Sequence, residues 1–274
     1  MKNLRNHSFA ASKTLCNWNA IVGRITTLIA GGLLSMVFCN HSISQVIVNE
    51  DFESYADTTA MDLKWDNLGT GVGVLVTTNG NSGNSAYHIS ATSSGATVNQ
   101  WKGSAFSIAP SLTEKIVLRA DIFNIGGTDG RETIGLRVGT DIFEMGHYNA
   151  SPVLQQFGIR VNSIYSNAGY LGFANPTETL GWNRFEAIFT TTEVTVTLDL
   201  GADGSVDYTI VSSGAPGFIA FNDLRFGGPS GNSSVEPAWF DNIYMAVEAV
   251  PEPSTAALLG ISICALIGIR RSRN

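Results

Sequence analysis

Glu193-Val-Thr-Val-Thr-Leu-Asp-Leu200, Gly201-Ala-Asp-Gly-Ser205 and Val206-Asp-Tyr-Thr-Ile-Val211 read as two strands joined by a tight turn. Val194, Val196, Leu198 and Leu200 fall on one side of an extended chain, with Thr195, Thr197 and Asp199 on the other, because successive strand side chains point to opposite faces. Asp203-Gly204 is the turn chemistry expected where φ must become positive. The same period of two continues outward from this hairpin. In Arg184 to Thr190, Phe185, Ala187 and Phe189 alternate with Arg184, Glu186 and Ile188. In Lys115 to Phe123, Ile116, Leu118, Ala120 and Ile122 share one face, and Val117, Arg119, Asp121 and Phe123 the other. Glu132 to Val138 and Gln156 to Val161 predict further strands. Gly, Asn, Ser and Asp separate these runs at short spacing. No stretch of 45–249 keeps a 3.6-residue apolar period, and no long repeat is evident. Roughly a dozen strands in about 200 residues predict an all-β fold of two packed antiparallel sheets.

The ends of the chain differ from this body. The last residues run Val250-Pro-Glu-Pro253, then Ser254-Thr255, an uncharged run from Ala256 to Ile269, and the cluster Arg270, Arg271, Arg273. Pro251 and Pro253 fix φ and lack N–H groups, which keeps this stretch extended and open to another protein. As a helix the apolar run spans about 21 Å, short of the roughly 30 Å of a bilayer core. The arginines would act as a membrane stop, holding the C-terminus on the cytoplasmic side with the body outside the inner membrane. At the other end, Lys2, Arg5, Lys13 and Arg24 precede an apolar run from Ile25 to Cys39. Ser42-Ile43-Ser44 then offers small residues for signal-peptide cleavage after Ser44. An uncleaved N-terminal anchor is the alternative; a lipoprotein anchor at Cys39 is disfavoured by bulky Phe38.

Cysteine and charge follow the same division into 1–44, 45–249 and 250–274. Cys16 and Cys39 lie in the leader and Cys264 in the tail. The body therefore has no disulfide framework, thiolate metal site or cysteine nucleophile. It carries nine basic residues against 22 acidic ones, a net charge of −13. Such a balance excludes nucleic acid as a partner, which requires a basic surface, and suits calcium wherever carboxylates converge.

The tail resembles the PEP-CTERM sorting signal in its Pro-Glu-Pro motif (Val250, Pro251, Glu252, Pro253), short transmembrane helix and basic end. The likeness covers about 25 residues. It implies processing by exosortase, a membrane enzyme for which the motif is a substrate, in a Gram-negative bacterium that builds exopolysaccharide or biofilm matrix. The expected location is the cell surface or extracellular matrix, reached through the inner membrane.

The body carries a second resemblance. It opens Val46-Ile-Val-Asn-Glu-Asp-Phe-Glu-Ser54, contains Gly181-Trp-Asn-Arg-Phe185 before the Asp199–Asp207 hairpin, and closes Trp239-Phe-Asp-Asn-Ile-Tyr-Met245. Together these resemble the concanavalin A-like jelly-roll sandwiches and the carbohydrate-binding jelly rolls. The resemblance implies that the opening and closing strands lie side by side. It also implies a structural calcium between them, at Glu50, Asp51, Glu53 and Asp241, whose oxygens are the hard ligands Ca²⁺ takes. The set Asp199, Asp203, Asp207 lacks EF-hand spacing and reads as a plain turn.

Sugar rings stack on flat aromatic faces. Trp65 and Trp101, in the polar surroundings Lys64-Trp-Asp-Asn67 and Asn99-Gln-Trp-Lys102, are the candidate ligand-binding residues. Trp182 and Trp239 are expected in the core. The paired-carboxylate strand of laminarinase-like sandwiches, Glu-x-Asp-x-x-Glu, is missing. In Gly146-His-Tyr-Asn149, His147 and Tyr148 are adjacent strand residues, so they point to opposite faces and cannot cooperate without a bulge. Gly69-Thr-Gly-Val-Gly73 lacks the Lys and helix of a phosphate loop. The expectation is a non-enzymatic exported protein acting by adhesion or weak binding of extracellular polysaccharide. A hydrolase or lyase on the same sandwich is the alternative.

Overall fold

The computed structural model describes residues 44–68, 73–77, 80–81, 83, 85–88, 98–125, 131–148, 156–162, 169–173, 179–214, 220–228 and 238–250. The leader up to residue 43, the sorting motif from Pro251 onward and Arg270, Arg271 and Arg273 lie outside the described residues.

Alternating sequence becomes strand almost throughout. In chain order the elements are β1 (Gln45–Glu50), α1 (Thr58–Asp62), β2 (Trp65–Leu68), β3 (Gly73–Val76), β4 (Ser85–His88), β5 (Val98–Trp101), β6 (Glu114–Asn124), β7 (Glu132–Val138), β8 (Asp141–Tyr148), β9 (Gln156–Asn162), β10 (Gly169–Gly172), β11 (Gly181–Phe189), β12 (Glu193–Leu200), β13 (Tyr208–Ser213), β14 (Asp223–Gly227) and β15 (Ala238–Ala249). The single helical turn, α1, is capped by Asp57, whose carboxylate accepts from the Ala60 N–H at 2.9 Å. It is too short to leave a periodic signature.

Two antiparallel sheets result, and the fold is a jelly-roll sandwich. One, sheet A, orders β13-β12-β11-β6-β15-β4-β3, with β1 also paired to β15. The other, sheet B, orders β10-β9-β8-β7-β14-β5-β2. β15 pairs along one edge with β6. Its other edge is shared by two strands: β4 takes 238–240 and β1 takes 243–247. The opening and closing segments therefore lie side by side, Glu50 opposite Ile243. A bulge interrupts β15 between Asp241 and Tyr244, where Asn242 takes a positive φ of 49°.

The core lies between the sheets. Ile116, Leu118, Ala120 and Ile122 of β6 and Val194, Val196 and Leu198 of β12 are buried in it. Aromatic rings bridge the layers: Phe143 meets Phe189 at 4.7 Å, Phe157 meets Phe185 at 5.5 Å and Phe226 meets Phe240 at 4.9 Å between centroids. Each such ring contributes several kcal/mol, since truncating a buried Phe costs about 3–5 kcal/mol. In the β12–β13 turn, Asp199 accepts from the N–H groups of Asp203 (3.0 Å) and Gly204 (2.8 Å), and Leu200 N–H donates to Asp207 (2.8 Å). These carboxylates hold the turn. Asp207 is spent there, so β13 starts at Tyr208 and not at the predicted Val206.

Candidate functional site

The opening segment is built around a buried carboxylate. Glu50 Oε1 accepts from the Phe52 N–H at 3.0 Å, and Oε2 accepts from the Tyr55 hydroxyl and from Trp65 Nε1 at 3.3 Å. Both oxygens are thus engaged by protein donors. Asp51 is exposed and accepts from the Glu53 N–H at 3.1 Å, a local turn. Glu53 lies against Gly83. Asp241 is buried and caps the bulge, accepting from the Asn242 N–H at 2.7 Å. Among the described residues no group of three or more His, Cys, Asp or Glu is placed to hold a metal ion. The calcium set expected from Glu50, Asp51, Glu53 and Asp241 does not converge; Glu50 is a structural acceptor.

The tryptophans are placed the other way round from expectation. Trp65 is fully buried between Phe52, Trp101 and Phe226, so it presents no face to a sugar. Its neighbours Lys64 and Asp66 are polar because they point the other way. Trp101 is half-buried, edge-on to Trp65 at 5.0 Å. Trp182 and Trp239 instead lie half-exposed on the outer face of sheet A, opposite Phe123 in register. Both meet Phe123 edge-on, at 5.4 and 5.1 Å. Beside this aromatic row, buried Asp121 takes two hydrogen bonds from Arg184 and one each from Asn81 (2.8 Å) and Asn242 (2.9 Å).

The outer face of sheet B carries the most organised arrangement. Its core-facing residues include Ile134, Leu136, Phe143, Met145, Ile159, Leu224 and Phe226, so the residues between them point away from the core. One outward row runs in register through Arg225, Gly135, Glu144, Arg160 and Tyr170. The next runs through Gly227, Thr133, Gly146, Gly158 and Gly172. Five strands therefore cross with a single side chain between them, that of Thr133. The four steps from Gly227 to Gly172 make roughly 19 Å at about 4.8 Å each. Arg131 and Tyr148 stand on the far side of this row. The result is a glycine floor between two ridges of long side chains, and the ridges close over it: Arg131 reaches across to Glu144 and Tyr170, Tyr148 meets Tyr170 at 5.3 Å between centroids, and Thr133, Gly146, Gly158 and Gly227 are buried.

The backbone enforces that floor. Gly146 has φ of 140°, and a Cβ there would meet the Glu132 carbonyl oxygen at 2.2 Å. A Cβ on Gly158 would meet the Leu171 carbonyl oxygen at 2.5 Å.

The ridges are polar. Arg131 donates to the Tyr170 hydroxyl at 3.0 Å and lies over the Tyr148 ring at 5.5 Å. Glu144, fully buried, faces Arg131 at 3.5 Å and Arg160 at 3.9 Å. Arg160 also lies over Tyr170 at 5.4 Å. Arg225 pairs with Asp223 at 2.7 Å. Burial lowers the pKa of Arg137 from its ordinary value, and the neighbouring Arg225 charge adds to that shift. Burial pushes the Tyr148 hydroxyl well up, with the Glu144 charge adding to it. The Tyr148 hydroxyl and Thr133 Oγ1 are fully buried and hydrogen-bond to no protein group. His147 faces the core beside Phe157, opposite to Tyr148, as the strand geometry requires.

No family model matches the chain, and no curated protein matches it. Solved structures similar in fold include the cellulose-induced protein Cip1, at 19% identity over 72% of this chain and 96% of that one, with a TM-score of 0.46. The winged bean acidic lectin, solved with methyl-alpha-D-galactose, is 10% identical over 77% of this chain and 100% of its own, with a TM-score of 0.45. The CBM2 module of the evolved Dit of Lactobacillus casei BL23 phage J-1 is 11% identical over 77% and 98%, also with a TM-score of 0.45. Likenesses of this size do not say what this chain binds.

Proposed function

We propose that this chain is an exported, non-enzymatic protein of the cell envelope or exopolysaccharide matrix that acts by adhesion or weak binding of a glycan. The observation that carries the reading is the pair Trp182 and Trp239, half-exposed on either side of Phe123 on the outer face of sheet A, since sugar rings stack on flat aromatic faces. Binding without turnover is supported by the orientation of His147, which points into the core, away from Tyr148.

Export rests on the leader and on Val250-Pro-Glu-Pro253 with the apolar run and arginines behind it. Exosortase is the proposed processing partner and the inner membrane the proposed transit site. Deleting 250–274 should keep the protein from the cell surface; unchanged surface display of the deletion overturns that half. For the glycan half, full-length protein is incubated with a panel of insoluble polysaccharides and sedimented. Depletion from the supernatant by at least one polymer, lost in Trp182→Ala, is the expected result. No depletion by any polymer removes the reading.

A further inference from the structure

We propose that the end of the sandwich from which the chain leaves at Val250 is a lipid-facing surface, with Leu112 seated in the headgroup region of the bilayer while the tail is in place. The inference rests on the membrane reading of 250–274 and names the part of the body that meets the membrane. β15 closes at Ala249, opposite Glu114 at the start of β6. The next residue, Val250, donates its N–H to the Thr113 carbonyl at 2.9 Å, so the exit point is fixed on the fold. Thr113 belongs to a tight turn, in which the Ser111 N–H donates to the Glu114 carbonyl at 2.9 Å and the Thr113 N–H to Ser111 Oγ at 3.3 Å. Leu112 is the tip of that turn. It is 87% exposed, more than any other large apolar side chain among the described residues, and it takes no part in the core. Hydrogen bonds on both sides thus hold a leucine out to solvent, next to the residue that receives Val250.

Chain length brings this end to the membrane. Five residues, Pro251 to Thr255, separate Val250 from the apolar run that starts at Ala256. Fully extended they reach about 17 Å, and the headgroup layer on one side takes up roughly 5–8 Å of that. The run itself, about 21 Å as a helix, is shorter than the bilayer core of roughly 30 Å, and a short span draws its flanking residues into the interface. The leader imposes the same limit from the other terminus. Five residues, 40–44, lie between Cys39 and Gln45, and Gln45 stands opposite Val247 on β15. Both apolar runs are therefore tied by short spacers to one end of sheet A. Beside Leu112 stand the hydroxyls of Ser111 and Thr113, and Lys115 is paired with Glu248 at 3.3 Å. The exposed Glu114 disfavours an anionic surface, so a zwitterionic bilayer is the better match. The aromatic pair lies at the other end: Trp239 is eleven residues before Val250, about 36 Å along the strand at about 3.3 Å per residue. Docking through Leu112 holds Trp182 and Trp239 clear of the lipid.

The test uses the full-length chain carrying Cys16→Ser, Cys39→Ser and Cys264→Ser, which removes every native thiol. Leu112→Cys then takes an environment-sensitive fluorophore. Leu180→Cys, at a site 67% exposed next to the opposite end of β6, is the control. Both sites are exposed, so neither substitution opens the core. Each labelled chain is reconstituted in phosphatidylcholine vesicles with and without a nitroxide-bearing lipid. The label at 112 should shift to the blue and lose most of its emission to the nitroxide, while the label at 180 keeps its colour and intensity. Protein that floats with the vesicles but whose label at 112 is unquenched overturns this inference and leaves the membrane reading of the tail intact. Equal quenching at both sites also overturns it, because the body then lies flat on the bilayer. A label at 112 that is unquenched in vesicles, with a thiol there that cross-links to a membrane protein in cells, overturns it in favour of a protein partner. Failure of the chain to float with vesicles removes the tail reading as well.

Discussion

Arg184 grips Asp121 with two hydrogen bonds, Nε to Oδ1 at 2.7 Å and Nη2 to Oδ2 at 2.9 Å, while Asp121 is fully buried and Arg184 keeps 31% side-chain exposure. The two residues face each other across β11 and β6, and Asp121 in turn faces Asp241 across β15. Arg184 therefore neutralises a carboxylate in the middle of sheet A, and Asp121 raises the pKa of Arg184. Removing only the cation strands a buried charge. Arg184→Leu should cost about 3 kcal/mol, read as a lower denaturation midpoint at unchanged slope. The double variant with Asp121→Leu should cost less than the sum of the single ones. Strict additivity would show that the pair is not coupled.

Tyr148→Phe and Thr133→Val remove buried hydroxyls that have no protein partner. A buried, unpaired hydroxyl costs about 1–3 kcal/mol. Each variant should therefore hold or raise the melting temperature. A fall in the melting temperature would assign these hydroxyls a stabilising role in the fold.

Two tyrosines make the domain sensitive to alkali. Burial raises the pKa of Tyr148, and burial with the Glu50 hydrogen bond raises that of Tyr55. The folded state then keeps protons that the unfolded chain releases near pH 10. The unfolded state binds fewer protons there, so stability falls as pH rises above about 10. Melting temperatures recorded from pH 8 upward should drop beyond that point, and Tyr148→Phe should flatten the drop.

Glu50 gives the test for calcium. Its two oxygens already accept from Phe52, Tyr55 and Trp65. Calorimetric scans with and without EDTA should superimpose. Glu50→Gln weakens charge-assisted acceptance from three donors and should cost about 2 kcal/mol. A melting temperature that climbs on adding calcium would restore a metal at this end of the sandwich.

The period-two pattern was legible, and it reached further than the residues first singled out. Phe185 and Ala187 set the inward parity of β11, and extending that parity by one step puts Asn183 inside and Trp182 outside. Trp239 follows in the same way from buried Phe240. Trp65 shows the converse: polar neighbours in a strand mark the opposite face, not the exposure of the residue between them. The glycine row could not be read from the sequence. Gly146, Gly158 and Gly172 look like three separate loop or strand glycines until the registers of β8, β9 and β10 align them. The clustering of Arg131, Arg137, Arg160 and Arg225 has the same origin, since parity gives a face but only pairing gives neighbours.

β15 is the final described strand and also stands in the middle of sheet A, with β6 on one edge and β1 and β4 on the other. A chain emerging from the ribosome in order thus makes the partners long before it makes the strand that joins them. Until residues 238–249 have appeared, β1 has nothing to pair with and β6 has one bare edge. Long-range pairing of this kind delays folding. The domain can remain an open chain for nearly its whole synthesis, and closure follows the arrival of a single late segment.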